Sequence, residues 1–343
     1  MKLNLEIFQK PKLAVDFGTA NCVIIHSKKG IVVREPTVVA ISPSEKKVIA
    51  VGQEAKEMLG KVPEGLEAKR PLKNGGISNY RLAEALLRKF FDKALGRVRL
   101  IKPEVMVCVP AGINSVEERA IIQALHSVGA GRIYLLPEPV AASIGAKLPI
   151  HTAAGNLIVN IGGGTSEIAV LSLNGIVSYE SQKTAGDGIN EAIISYVKNK
   201  HNLIIGEQTA ESIKIKLGSA MQVSPKNDLV MEVSGKNSKT GQPEIIALRT
   251  NELVEPIRII LNQIIDAVKR VLNRTPPEIM ADLIDRGMAL SGGTAMLSGI
   301  DELFTKSIGI PAFVVEDPLT SVANGLIYVL SNIDEFRRSA KIS

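Results

Sequence analysis

The stretch LIVNIGGGTSEIAVL, Leu157 to Leu171, decides the reading of this chain. Its centre, Gly162-Gly163-Gly164-Thr165-Ser166, has almost no side-chain bulk, and apolar runs flank it on both sides. That pattern predicts strand, tight turn, strand. A hairpin loop needs positive φ at one or more positions, which glycine adopts cheaply, so left-handed backbone is expected there. Without side chains, successive backbone N–H groups also converge on an anion. The Thr165 hydroxyl adds a donor.

The stretch has a partner, LAVDFGTANCVII, Leu13 to Ile25. Aligning Asp16 with Asn160 sets the two 144 residues apart. Both then show an apolar strand, a polar residue, one apolar residue, glycine, small hydroxyl-bearing residues and a second apolar strand. A single copy reads as readily as a plain tight hairpin. A matched pair at domain spacing points to a duplicated domain whose two hairpins clamp a polyphosphate from both sides. Other glycine motifs fail: GxGxxG requires a helix after the glycines, and GxxxxGK[ST] does not occur in the chain.

Composition bounds the class. At 343 residues the chain exceeds what one core usually serves. Apolar residues make up 45% and charged ones 22%, which suits a globular protein. Aromatics are only 3%, with no Trp, so stacking platforms for bases are scarce and nucleic acid is not an expected partner. The net charge of +6 fits an anionic ligand or membrane surface, and equally a solvated basic surface. Cys22 and Cys108 lie in apolar runs and read as buried free thiols, and the four histidines show no metal spacing. No apolar run approaches the ~20 residues of a spanning helix, and the N-terminus lacks a signal peptide's apolar core, so a cytoplasmic location is expected.

The expected order after the first hairpin is a strand from Gly30 to Ile41 and an insertion rich in Pro, Lys and Glu from about 35 to 75. A helix from about 79 to 95 follows, then strand 104–110 and a helix with Ser115 as N-cap and Glu118 at the capping-box position. Strand 132–139 leads into a helix of small residues. The second half repeats the plan, with strands to 181, a helix from about 189 to 199, and an insertion holding a helix at about 208–221 and a hairpin. A long helix over 252–273 carries apolar residues at 3.6 spacing. ALSGGTAM reads as strand, glycine turn and helix start. The fold class is α/β with two like halves.

These residues carry a family resemblance. VDFGTAN (15–21), EPVAASIGAKLP (138–149), IVNIGGGTSEIAVLSLNGIV (158–177), IGEQTAESIKIKLGSA (205–220), DRGMALSGGTAMLSGID (285–301) and EDPLTSVANG (316–325) resemble the actin-like ATPases, and among them the MreB family of bacterial cell-shape proteins. The resemblance implies an actin-like fold: two duplicated α/β domains with ribonuclease H-like cores, each with an inserted subdomain, and a nucleotide cleft between them. The expected division is 1–34, 76–148 and 318–343 as subdomain IA, 35–75 as IB, 149–184 with 247–317 as IIA, and 185–246 as IIB. ATP or ADP and magnesium would lie in the cleft. Gly18, Thr19, Ala20 and Asn21 would hold phosphates from one side and Gly162, Gly163, Gly164 and Thr165 from the other. Glu211 and Lys214, one helical turn apart, would face ribose and adenine; taken alone they read as an ordinary surface ion pair. Gly292, Gly293, Thr294 and Ala295 would let adenine approach the backbone, with Thr294 where the family usually has a third glycine. Glu138 would be the general base on the attacking water, with Thr165 beside it.

Asp16 and residue 160 would flank the metal through its waters. The family normally has Asp at both, and this chain has Asn160. An amide accepts a hydrogen bond but brings no charge. Two readings stand: magnesium is held less firmly and hydrolysis slows, or Asp16 and the phosphates suffice. The resemblance further implies self-assembly into protofilaments, shape-determining membrane proteins as partners, and a peripheral position at the inner face of the membrane. Leu3, Leu5, Ile7 and Phe8 beside Lys2 and Lys10, and the loop 94–101, are candidate membrane contacts; the N-terminal stretch reads equally as a frayed tail or an edge strand. Rival readings are a small-molecule kinase of the same fold, a chaperone ATPase, and a structural paralogue that binds nucleotide with little turnover. The activity expected is at most a weak ATPase coupled to polymerisation.

Overall fold

The computed structural model describes residues 10–45, 47–98, 101–336 and 339–342. Leu3, Leu5, Ile7 and Phe8 lie outside the described residues, as do residues 99 and 100 of the stretch 94–101 expected as a loop, whose first two residues, Ala94 and Leu95, instead end the helix Tyr80–Leu95 with Ala94 buried.

The chain opens with the predicted hairpin, β1 (Lys12–Phe17) and β2 (Asn21–His26), extended by β3 (Gly30–Pro36). The run expected as one strand to Ile41 breaks after Pro36 and resumes as β4 (Val39–Ser42). Thr37, at the break, donates from its backbone N to Ala20 O and from Oγ1 to Gly18 O at 2.7 Å, so it is spent on bracing the first turn. β4 pairs with β5 (Lys47–Val51) and β6 (Glu67–Lys69), with α1 (Gln53–Met58) packed nearby. A short ribbon, β7 (Leu72–Lys73) and β8 (Gly76–Ile77), closes this segment. Then come α2 (Tyr80–Leu95), β9 (Glu104–Val109), α3 (Ser115–Ser127), β10 (Ile133–Pro137) and α4 (Glu138–Gly145). The N-cap of α3 is Asn114, not Ser115, and the capping-box acid is Glu117, not Glu118. Asn114 Oδ1 accepts from the backbone N of Val116 and Glu117, which leaves Ser115 as the first helical residue.

The second half holds β11 (Asn156–Ile161), β12 (Ser166–Ser172), β13 (Gly175–Gln182) and α5 (Gly186–His201), which starts three residues earlier than predicted. β14 (Leu203–Ile204), α6 (Glu207–Leu217), β15 (Val230–Asn237) and β16 (Pro243–Arg249) follow. α7 (Thr250–Asn273) buries Leu253, Ile257, Leu261, Ile264, Val268 and Val271 as its spacing predicts. α8 (Pro277–Arg286), which periodicity did not single out, precedes β17 (Met288–Ser291). The glycine turn then opens into a 3₁₀ turn, Gly293–Met296, and not directly into a helix. α9 (Ile300–Ile308), β18 (Ala312–Val314), α10 (Ser321–Ser331) and β19 (Lys341–Ile342) complete the order.

The two large sheets have the same plan. One runs β19-β10-β9-β1-β2-β3 and the other β18-β17-β11-β12-β13. In each, the hairpin is antiparallel and its first strand pairs in parallel with the next one inward, β1 with β9 and β11 with β17. Two cores lie on the outer faces of the sheets, one under α2 and α3, the other around α5 and α7. A third core lies between the sheets and contains α4 and α10. These two helices touch backbone to backbone. A Cβ at Gly145 would fall 1.7 Å from Ser321 O, and one at Gly325 1.9 Å from Ala141 O. No helix among the described residues is long and apolar enough to cross a membrane.

Candidate functional site

The two hairpin turns meet tip to tip. Phe17 pairs with Cys22 in the first ladder and Ile161 with Ser166 in the second, each 144 residues from its counterpart. The duplication thus holds in register. One of the two reasons expected for the glycines does not hold: no residue of either turn has positive φ. The second turn closes through Gly162 N to Thr165 O at 2.9 Å. What excludes side chains is proximity. A Cβ at Gly163 would lie 2.6 Å from the Ala20 Cβ, and one at Gly164 2.7 Å from Thr19 Oγ1.

Between the turns lies a cavity of about 500 Å³. Asp16, Gly18, Thr19, Ala20 and Asn21 line it from the first half. Asn160, Gly162, Gly163, Gly164 and Thr165 line it from the second. Glu138, at the first position of α4, reaches it from behind; Glu211 and Lys214 of α6 and Gly292, Gly293 and Thr294 form its far end. Of the predicted site residues only Ala295 stands off the lining, fully buried.

The floor is rich in carboxyl groups. Asn160 Nδ2 donates to Glu138 Oε1 at 2.7 Å, and the buried Asn160 Oδ1 has no hydrogen-bond partner. Asp16 Oδ1 accepts a weak bond from Cys108 Sγ at 3.4 Å. Burial pushes Asp16 up to about 6, a shift that the Cys108 bond opposes. Burial also pushes Glu138 well above the usual carboxylate range, helped by the charges of Glu167 and Asp16 and opposed by Asn160. The same burial with Asp16 nearby raises the Cys108 thiol. Crowded carboxylates with raised proton affinity need a cation to ionise fully. Among the described residues no group of three or more His, Cys, Asp or Glu is placed to ligate a metal directly. The orphaned Asn160 oxygen and the sparsely bonded Asp16 fit a divalent ion held through its waters.

At the far end, Glu211 and Lys214 are engaged elsewhere. Glu211 Oε2 pairs with Lys56 Nζ at 2.6 Å, across the cleft. Lys214 Nζ donates to Gly186 O at 3.0 Å, and burial lowers its proton affinity against the charges of Asp187 and Glu211. Arg70 also spans the cleft, to Asp187 at 3.3 Å and to Glu207 at 2.6 Å. Gln208 Nε2 donates to Lys56 O and Leu59 O at 2.6 and 2.8 Å.

Sequence reasoning passed over several of these residues. Lys56, Arg70, Asp187 and Gln208 were not singled out, because their partners lie more than a hundred residues away in the chain. Glu167 is 1% exposed, and its carboxylate accepts from Ser181 Oγ at 2.5 Å and Ala111 N at 3.4 Å. Its one available signal was a charged residue in an otherwise apolar strand.

The chain matches the family model described as MreB/Mbl protein over residues 10–338. It is 43% identical over 329 residues to the cell shape-determining protein Mbl of Bacillus cereus, covering 96% of this chain and 98% of that one. It is 45% identical over 327 residues to the cell shape-determining protein MreB of Haemophilus influenzae, covering 94% and 93%. Among solved structures, MreB5 of Spiroplasma citri bound to ADP superposes with a TM-score of 0.91 at 28% identity, covering 96% of this chain and 99% of that one. The MamK double helical filament, 20% identical with a TM-score of 0.78 over 94% and 99%, shares the fold. Paired sheets of one plan, glycine turns meeting across a cleft and relatives matched nearly end to end agree: the chain has the actin-like fold and belongs to the MreB/Mbl family.

Proposed function

We propose that this protein is a nucleotide-binding cytoskeletal protein that governs cell shape, takes ATP or ADP with magnesium in the cleft, and assembles with itself into filaments at the inner face of the membrane. The observation that carries the reading is the contact of the two glycine turns. It presents backbone N–H groups and the hydroxyls of Thr19 and Thr165 to one cavity of about 500 Å³. The MreB5 structures bound to ADP and to AMPPNP support a nucleotide there, and the cell-shape relatives support the role.

In this reading Gly18 to Asn21 and Gly162 to Thr165 bind the phosphates. Glu211 and Lys214 face the ribose and base, which stack toward Gly292, Gly293 and Thr294, with Ala295 packed behind. Asp16 and Asn160 hold the waters of magnesium, which when bound supplies positive charge to the phosphate oxygens. Glu138 accepts a proton from the attacking water, with Thr165 orienting that water. Asn160 slows this step in two ways. It brings no charge to the metal's water shell, and its Nδ2 occupies a lone pair of the base. Membrane contact is assigned to Leu3, Leu5, Ile7, Phe8 and the 94–101 loop, where Val98 is exposed. Shape-determining membrane proteins are the expected further partners.

Phosphate release with ATP and magnesium, run beside sedimentation of polymer, tests the reading. Nucleotide-dependent pelleting with slow release is expected. No binding of ATP or ADP would end it. Sedimentation with liposomes tests the membrane assignment: loss of binding on deleting residues 1–9 is expected, and unchanged binding removes that stretch as an anchor.

A further inference from the structure

The base-side turn and the phosphate turn are joined by one side chain. Thr294, 5% exposed, donates from Oγ1 to Gly162 O at 2.8 Å. Gly162 is the residue at which β11 gives way to the phosphate turn. Its carbonyl accepts a second, longer bond from Gly186 N at 3.2 Å, at the start of α5. Asp187 N, one residue on, donates to Gly163 O at 2.8 Å. Lys214 Nζ holds the Gly186 carbonyl from α6. The 3₁₀ turn and the start of α5 therefore converge on the backbone of Gly162 and Gly163, and α6 braces that start through Gly186.

The fit around the hydroxyl is close. A Cβ at Gly186 would lie 2.6 Å from Thr294 Oγ1. Gly292, with φ +85, brings the base-side turn so near that a Cβ there would fall 2.3 Å from Ile161 O. The backbone of the base-side turn thus lies against the last strand residue before the phosphate turn. The Thr294 hydroxyl supplies the directional bond that sets their relative position. Apolar packing at this point carries no such direction, and hydrogen bonds of this length are strongly oriented.

Resting on the nucleotide-site reading, we propose that Thr294 is a positioning residue: its hydroxyl holds the Gly162–Gly164 turn in register from the base side of the cleft. The affinity a nucleoside phosphate gains from its second and third phosphates then depends on a residue that those phosphates do not touch. The base and first phosphate are served by other lining groups as well, and depend less on this hydroxyl.

Calorimetric titration of the full-length protein with AMP, ADP and AMPPNP in the presence of magnesium tests this without relying on turnover. Thr294→Val keeps the shape and removes the donor, and Thr294→Ser keeps the donor. The expected result is that Thr294→Val loses about fivefold more affinity for AMPPNP than for AMP, the worth of one net hydrogen bond. Thr294→Ser recovers most of that loss. Thermal melts of both variants show that each is folded, and Thr294→Ala gives a second donor-free variant should Val fail to fold. An unchanged ratio of AMPPNP to AMP affinity in the donor-free variant overturns the proposal. So does an equal loss for all three nucleotides, or a Ser variant as impaired as Val. If the unmodified protein binds none of the three, the nucleotide-site reading falls first and this inference with it.

Discussion

Asn160 donates through Nδ2 to Glu138 Oε1 at 2.7 Å, while its own buried amide oxygen has no partner. The amide therefore does two things that a carboxylate could not do together. It relieves Glu138 of a like-charged neighbour, and it leaves one uncharged acceptor free on the cleft floor, where the proposed magnesium would be held through its waters.

Asn160→Asp exchanges the donor for a second carboxyl facing Glu138. In nucleotide-free protein this costs on the order of 3 kcal/mol, since one partner of a buried contact becomes a like charge or must take up a proton. Tm falls by several degrees. With magnesium and ATP the order reverses, because the added charge is met by the cation, and phosphate release rises by about tenfold or more. Melts with and without magnesium–ATP, together with release rates, check both halves. Equal melts and unchanged release would refute the role given to Asn160.

Asp16 makes the nucleotide-free protein sensitive to pH. Burial raises its folded value to about 6 from 3.8. Between about pH 4 and 6 the folded protein keeps a proton that the unfolded chain releases. This contribution to stability is fully present below pH 4 and is lost as pH rises through 6. Two units are worth about 3 kcal/mol at most, and Asp16 keeps some exposure to the cleft, so about 1–2 kcal/mol is expected. Asp16→Asn should raise Tm at pH 7, flatten its decline between pH 4 and 7, and abolish stabilisation by magnesium–ATP. Glu138 and Glu167, also raised, leave a residual slope of the same sign. A variant that melts lower at pH 7, with the slope intact, contradicts the assignment.

What could be read beforehand follows from the range of the physics involved. The hairpins at Asp16 and Asn160, their offset and the apolar face of α7 are local patterns, and they appear as predicted. The cap of α3 was one residue off because Asn114 and Ser115 both suit an N-cap, and only geometry chooses between them. The positive φ expected of the glycines is absent. Their φ values are ordinary, and Gly163 and Gly164 are needed because Ala20 and Thr19 press on them from 143 and 145 residues away. Lys56 with Glu211 and Arg70 with Asp187 depend wholly on such long-range placement, so nothing in their neighbourhood marked them.

The cross-cleft pairs predict slow nucleotide exchange. Arg70 is largely covered and bridges Asp187 and Glu207, so removing it leaves more than a screened surface contact unmade. Arg70→Ala and Lys56→Ala should each speed dissociation of a fluorescent ATP analogue, Arg70→Ala by about tenfold, corresponding to about 1.4 kcal/mol. Lys56→Ala also frees Glu211, and so should raise affinity for the ribose end slightly while it speeds release. Stopped-flow chase experiments measure both. Release rates equal to the unmodified protein's would show that these pairs do not hold the jaws shut.

Gly164→Ala tests the tip-to-tip contact itself. The added Cβ would lie 2.7 Å from Thr19 Oγ1 and 2.9 Å from both Thr19 Cβ and Cγ2, on the opposite hairpin. The side chain of Thr19 cannot swing clear cheaply, because its Oγ1 accepts from Gly75 N at 3.1 Å. The strain, about 1–3 kcal/mol by analogy with overpacked cores, is relieved by parting the two halves. In the proposed site, phosphate groups held by both turns would then lose one side of their clamp. Gly164→Ala should stay folded, since each half keeps its own core, yet bind ATP at least tenfold more weakly. The double variant Gly164→Ala, Thr19→Ser removes the Thr19 methyl and should recover part of the loss. Full ATP affinity in the single variant would mean that the turns do not need to meet, and the two-sided clamp would have to be abandoned.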